Sequence, residues 1–478
     1  MQFQKPSADS DAAITASHRI EWEDALKPRL VLIACCLVLV PTIVMTASSS
    51  DQSPEAQEQA PAVQSLHRSL DCGGEPCDGV ARGLRAFFDR RLHGLDGNGR
   101  SCADCHMATD HFQLSPASAE ARFQFVQSQR QWNPEADDPL FRAIDADDFR
   151  TNGENASDFS NLRQNGLIRI TFPLPPTMRL IDPVTNLPSS ETFVDVWRAV
   201  PTVNDVALTG PDGLKPAWAR DPNHFGGYQL DARVGTLQEQ ALGALTNHAK
   251  IQQAPPQRLL DDLSSFQRVL FTNNRVRALA DAVRAGTLPL PDPDPPLNDL
   301  EQQGKVVFVR ACAHCHGGPG QSTAELLPFR FHDILTQCPR PVDTVTPARW
   351  AFAPCAPGLA RNARTYEIAQ NTGITARRTS SDPGRALLSG FVGGPAPADD
   401  WNKLDMPGLR GIGKTAPYFH NNSAAGLEEV VEHYIQFFNR VKALNAVPPP
   451  VATTDGVNFD RQPKPEERAA LLAYLRKL

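Results

Sequence analysis

The sequence predicts a mainly α protein, built as two similar helical domains in tandem with long irregular loops. Three observations predict it. Helical stretches at 78–92 and 298–311 each run into a five-residue cysteine and histidine motif. Further helical stretches follow at 257–284 and 466–478, one after each motif. No segment of any length is rich in strand formers. The 478 residues suffice for two or three domains. With 41% hydrophobic and 21% charged residues, a wholly disordered chain and a multispanning membrane protein are excluded. A net charge of −7 leaves no basic excess to neutralise a phosphate backbone, so nucleic acid is excluded as a partner.

Residues 1–29 form a leader. Residues 30–47, LVLIACCLVLVPTIVMTA, are uncharged and mostly apolar, with Lys27 and Arg29 directly before them. Eighteen residues just span ~30 Å of hydrocarbon as a helix. The small residues Thr46, Ala47 and Ser48 would suit a signal peptidase. The segment therefore predicts export to the periplasm, as a cleaved signal peptide or as an inner-membrane anchor. It would also be the chain's sole membrane contact. A polar linker follows at 48–70. Cys72 with Cys77, and Cys338 with Cys355, are natural disulfide pairs in an oxidising compartment.

The first domain is expected over 71–288. Leu84, Phe87, Phe88 and Leu92 give the opening helix its apolar side, and 114–200 reads as loops. Leu259, Leu260, Leu263, Phe266, Leu270 and Phe271 line one side of the stretch at 257–284. Pro289, Pro291, Pro293, Pro295 and Pro296 make a stiff boundary, and the second domain occupies 289–478. Asn298 with Glu301 forms a capping box at the start of its first helix. Leu471, Leu472, Leu475 and Leu478 set the apolar spacing of the last.

The two motifs carry the chemistry. Cys102-Ala103-Asp104-Cys105-His106 and Cys312-Ala313-His314-Cys315-His316 are both C-x-x-C-H. Ten cysteines and twelve histidines in this length give far less than one such pentapeptide by chance. The pattern reads as covalent attachment of c-type haem, twice. Two thiols one helical turn apart each form a thioether with a haem vinyl group, and His106 or His316 ligates the iron. A zinc site built from two such pairs needs them ~15–20 residues apart, and these lie far more distant. Helix, motif, loop and terminal helix is the outline of a cytochrome c domain.

Three further stretches resemble the bacterial di-haem cytochrome c peroxidase and MauG family. They are Arg198 to Thr209 (RAVPTVNDVALT), Leu230 to Ala241 (LDARVGTLQEQA), and Met406 to Tyr434 with its MPGLR, TAPYFH and LEEVVEHY segments. The resemblance covers about 78–478. It implies a periplasmic peroxidase-type oxidoreductase with two unlike haems. Hydrogen peroxide or another small oxidant would react at the first. The second would relay electrons from a small periplasmic cytochrome or cupredoxin. Where some relatives hold a closing histidine over the first haem, this chain has Arg122, which predicts an open first iron; His111 reads as a surface or propionate-contacting residue. The family's sixth ligand to the second haem falls on Tyr434, with Met406 and His420 as alternatives, and His433 is expected in solvent.

The departures are specific. A distal glutamate is replaced by Lys250, leaving Gln240 and Arg233 as polar candidates over the first haem and His248 as a further proton-handling group. The tryptophan between the haems is Leu230, with Tyr228 and Trp218 nearby. The family's bridging calcium would keep carbonyls of Thr415 and Pro417 but meets Ala199 in place of an asparagine, which argues against it. Two other functions stay open at this stage. One is a MauG-like or oxygenase-type enzyme acting on an organic or protein substrate. The other is a non-enzymatic electron-transfer cytochrome.

Overall fold

The computed structural model describes residues 72–142, 159–211, 227–322, 331–340, 352–370, 373–393, 399–445 and 462–478. The leader, the apolar segment 30–47, the linker and Trp218 lie outside the described residues. Among those described, no helix is long and apolar enough to cross a membrane. The helices of eight or more residues are α1 (Cys77–Phe88), α2 (Pro116–Arg130), α3 (Leu237–Asn247), α4 (Gln257–Arg268), α5 (Asn274–Ala285), α6 (Asp299–Ala311), α7 (Leu427–Asn445) and α8 (Arg468–Leu475). Both cysteine pairs form disulfides, Cys72–Cys77 and Cys338–Cys355.

Two helix crossings have the same build. In the first, α1 packs on α4 through Val80, Leu84, Phe87, Leu263 and Phe266. In the second, α6 packs on α8 through Val307, Phe308, Leu471 and Leu475. A glycine lies at each contact because nothing larger fits. A Cβ on Gly83 would sit 1.9 Å from the Asp262 carbonyl oxygen and 2.8 Å from the Phe266 Cβ. A Cβ on Gly304 would sit 1.9 Å from the Ala470 carbonyl oxygen and 2.7 Å from the Tyr474 Cβ. The expected capping box starts α6: Glu301 N donates to Asn298 Oδ1 at 3.0 Å, and Asn298 N donates to Glu301 Oε2 at 2.9 Å.

The repeat extends further. Tyr228 bridges Val234, and Tyr418 bridges Ala424, 190 residues along. Gln229 and Phe419 share φ near +72° (73° and 72°), and Ala232 and Asn422 are also left-handed (56° and 53°). Each turn then enters a helix, α3 after Thr236 and α7 at Leu427.

Three expectations need correction. The helical stretch at 257–284 is two helices, because the Asn273 side chain accepts from Arg275 N and Val276 N and restarts the chain as α5. The segment 114–200 is not loops: it holds α2 and strands β1 (Leu167–Pro173), β2 (Met178–Leu180) and β3 (Phe193–Ala199). Nor is the fold mainly α without strands. With β4 (Phe331–His332), β5 (Arg364–Ala369), β6 (Thr375–Ser380) and β7 (Leu404–Asp405) it is mixed. β1 pairs antiparallel with β3, and β2 pairs with β5, which pairs with β6. The three-stranded sheet thus draws β2 from before the proline-rich stretch and β5 and β6 from after it. Phe172, Leu180, Val196, Tyr366, Ile368 and Trp401 form its core.

Candidate functional site

Two clefts lie in the folded chain, of ≈ 280 Å³ and ≈ 300 Å³, and they share Ala199–Thr202, Leu230 and Asp405–Gly408. The first is floored by Cys102, Cys105 and His106. Asp104 fixes that loop: Ser101 N donates to its Oδ2 at 2.8 Å, and Arg90 and Arg122 donate to its Oδ1 at 3.0 Å. Burial raises an isolated carboxyl, but these guanidiniums outweigh it and hold Asp104 at about 2.

His106 is half-buried. Its Nδ1 lies 3.0 Å from the Phe112 carbonyl oxygen, which leaves Nε2 for the cleft. Burial lowers the imidazole to about 4, so it is neutral at physiological pH. His316 repeats the arrangement with Nδ1 at 3.2 Å from both the Gln321 and Pro407 carbonyl oxygens, and its imidazole is also held at about 4 by burial. A histidine whose Nδ1–H is held by a carbonyl presents a basic Nε2 lone pair in a fixed direction, the condition for a metal ligand. Cys102, Cys105, Cys312 and Cys315 form no disulfide, and burial pushes Cys102 and Cys312 up to about 12, keeping them as thiols. A neutral imidazole with two thiols at one wall of an apolar cleft fits a haem, in both places.

The helices that line the two clefts differ. Over the first cleft, α3 and the residue after it present Gln240, Ala244 and His248 at i, i+4 and i+8. Over the second, α7 presents Val430, Tyr434 and Phe438 at the positions 190 residues along. Ala244 therefore matches Tyr434. Sequence reasoning passed over Ala244, although the i, i+4, i+8 spacing and the repeated turn before each helix were legible.

The other expected residues fall as follows. Tyr434, Met406 and His420 all line the second cleft, and Met406 also lines the first. His420 is 6% exposed; its Nδ1 is 3.2 Å from Thr336 Oγ1, and its Nε2 has no partner among the described residues. Gln240, Tyr228 and Leu230 line the first cleft. Lys250 and Arg233 are not among its lining residues, which corrects the expectation that they overhang the first haem. Lys250 follows the end of α3 with left-handed backbone (φ 51°), and the Arg233 guanidinium is committed to Asp231 at 2.7 Å. Asp231 in turn joins Asp382 in clamping Arg198, which lies at the first cleft wall. Arg122 is buried behind the attachment loop, bound to Asp104 and Asp138. His111 is exposed. His433 is not in solvent: residues 331–340 cover that side of α7, its Nε2 meets the Ile334 carbonyl at 2.6 Å, and it lies between Phe352 and Phe419. Ala199 supplies no side-chain oxygen beside Thr415 and Pro417, so the residues present do not fit the family's calcium site.

No family model and no curated protein matches the chain. Among solved structures it is similar to a MauG-like protein associated with microbial copper homeostasis (19% identity, 84% of this chain and 88% of that one, TM-score 0.39). It is also similar to the diheme peroxidase BthA of Burkholderia thailandensis (16%, 84% and 86%, TM-score 0.36). A third is the hydrazine synthase of Kuenenia stuttgartiensis (14%, 95% and 100%, TM-score 0.35).

Proposed function

We propose that the chain is a periplasmic di-haem c-type oxidoreductase of the cytochrome c peroxidase type, with two cytochrome c-like domains. The observation that carries this reading is the duplicated cleft with unlike helix linings, small at Ala244 and phenolic at Tyr434. Cys102 and Cys105, and Cys312 and Cys315, would hold the two haems by adding each S–H across a vinyl double bond, a step needing no oxidant. His106 and His316 would ligate the irons through Nε2. Haem so held would supply one-electron redox chemistry and an iron at which a small oxidant reacts.

The chain's own residues divide the work. Ala244 leaves room for hydrogen peroxide at the first cleft, and Gln240 offers it a carboxamide. Tyr434 fills the corresponding place at the second, which suits a relay taking electrons from a small periplasmic cytochrome or cupredoxin. The shared wall of Ala199–Thr202, Leu230 and Met406 brings the two clefts together. The two disulfides fit an oxidising compartment.

Haem that stays with the polypeptide after acid–acetone extraction tests the attachment. Ferric electron paramagnetic resonance tests the asymmetry: one high-spin and one low-spin haem are expected, and two low-spin haems would leave an electron-transfer cytochrome. Stopped-flow mixing with millimolar peroxide should change the spectrum and then support turnover with a reduced cytochrome. A stable oxygen complex with negligible peroxide turnover would instead place the chain with the MauG-like and oxygenase-type enzymes, the reading that Tyr434 favours.

A further inference from the structure

We infer that His248 is the proton-handling catalytic residue of the first cleft, a role that rests on the peroxide reading above. Four observations meet here. His248 lines the cleft in one stripe with Gln240 and Ala244, and Cys102, Cys105 and His106 line the same cleft. The equivalent stripe over the second cleft is Val430, Tyr434 and Phe438, so a nitrogen base lines only the first of the two stripes. The His248 and His106 imidazoles are close enough to act on each other electrostatically. Lys250, at the position from which a carboxylate would be expected to act, does not line the cleft.

The helix end carrying His248 is also strapped to the attachment loop. Asn98 Nδ2 donates to the His248 carbonyl at 2.9 Å, and Asn98 N donates to the Ala249 carbonyl at 2.7 Å. Arg100 Nη1 donates to the same His248 carbonyl at 3.4 Å. The strap permits little else: a Cβ on Gly97 would lie 2.9 Å from the Ala249 oxygen. Residues 97–100 continue directly into Ser101 and Cys102, so the imidazole is held in register with the two thiols and His106. It is half-buried, with solvent within reach on its outer side. Charged groups flanking it are Arg100 on the loop and Lys250 in the chain, with Arg198, Asp205 and Asp405 in the cleft wall.

The step balances. The imidazole takes the proton from the inner oxygen of hydrogen peroxide and returns it to the outer oxygen. The O–O bond then breaks with its electron pair leaving on the outer oxygen, which departs as water. Two reduced one-electron carrier proteins, giving one electron each, and two protons from solvent complete the reduction of one peroxide to two waters. General acid–base help of this kind is worth ~10²–10⁴-fold.

The test uses the full-length holoprotein with His248→Leu and, as a polar variant of closer size, His248→Gln. Hydrogen cyanide must lose a proton on binding ferric haem, whereas carbon monoxide carries none to ferrous haem. Both variants should slow cyanide association and peroxide reaction by about 100-fold or more, while carbon monoxide association stays within about twofold of the parent. Cyanide association as fast as in the parent overturns the inference, whatever peroxide does. An equal loss with carbon monoxide also overturns it, since that marks a blocked cleft. Slowed cyanide with a parent inert to peroxide upholds His248 as the proton carrier and removes the peroxide reading alone.

Discussion

Replacing Gly304 with alanine sets two opposing effects against each other. In a helix exposed to water, alanine is favoured over glycine by roughly 1 kcal/mol, because glycine loses more backbone freedom on folding. At Gly304 the added methyl would lie 1.9 Å from the Ala470 carbonyl oxygen, 2.6 Å from its carbon and 2.7 Å from the Tyr474 Cβ. Ordinary contact begins near 3.4 Å. Two of those neighbours are backbone atoms that cannot rotate aside, so α6 and α8 must part by more than ~1 Å, well beyond what a close-packed interface absorbs. That loosens Val307, Phe308, Leu471 and Leu475, and strains the Tyr474 hydroxyl bond to Asp294 at 2.8 Å. Overpacking of this kind costs ~1–3 kcal/mol, and the immobile neighbours place it at the upper end. The expected net effect is a loss of about 2 kcal/mol after the propensity gain. Urea unfolding of the holoprotein, followed by far-ultraviolet circular dichroism, reads it as a lowered midpoint. The control is Gly243→Ala in α3, where nothing lies within 4 Å of the added methyl and the midpoint should rise. Since α6 runs into Cys312, the second haem's spectrum should shift with Gly304→Ala alone. A raised midpoint for Gly304→Ala would refute the close crossing.

Tyr434→Phe removes one oxygen at nearly constant volume, so the helix should persist while the low-spin ferric signal of the second haem converts or acquires another ligand; an unchanged spectrum would make Tyr434 a packing residue and return attention to Met406 and His420. Ala244→Tyr imposes the second cleft's residue on the first and should abolish its high-spin signal and its reaction with peroxide, as seen by resonance and stopped flow. Asp205 is 1% exposed, and burial raises its carboxyl from 3.8 to about 6 despite bonds from Thr272. The raised value means the fold favours the protonated form: stability is full below about pH 4 and declines by roughly 3 kcal/mol as pH rises through 6. Asp205→Asn keeps an acceptor for Thr272 without the charge, so its urea midpoint should gain on the parent between pH 4 and pH 7; parallel pH profiles would show that Asp205 is not desolvated.

What the sequence by itself determined was what depends on neighbours in the chain. The two C-x-x-C-H motifs, the Asn298–Glu301 cap and the apolar spacing of α1, α6 and α8 are local patterns, because an attachment loop or a helix face is defined within a few residues. Local pattern also foretold the two disulfides, each closing a short stretch of chain. The strands escaped for the opposite reason. β2 has three residues, and its partner β5 lies about 190 positions on, so its stability comes from pairing and from a core with Tyr366 and Trp401 that no short window contains. His433 read as a solvated residue because its apolar cover, Ile334 and Phe352, arrives from elsewhere in the chain. Lys250 was assigned by offset from Gln240, but counting residues cannot follow a backbone that leaves the helix with positive φ. Which side chain ends over a cleft is settled where the helix stops and what straps its end, and here Asn98 and Arg100 hold His248 there.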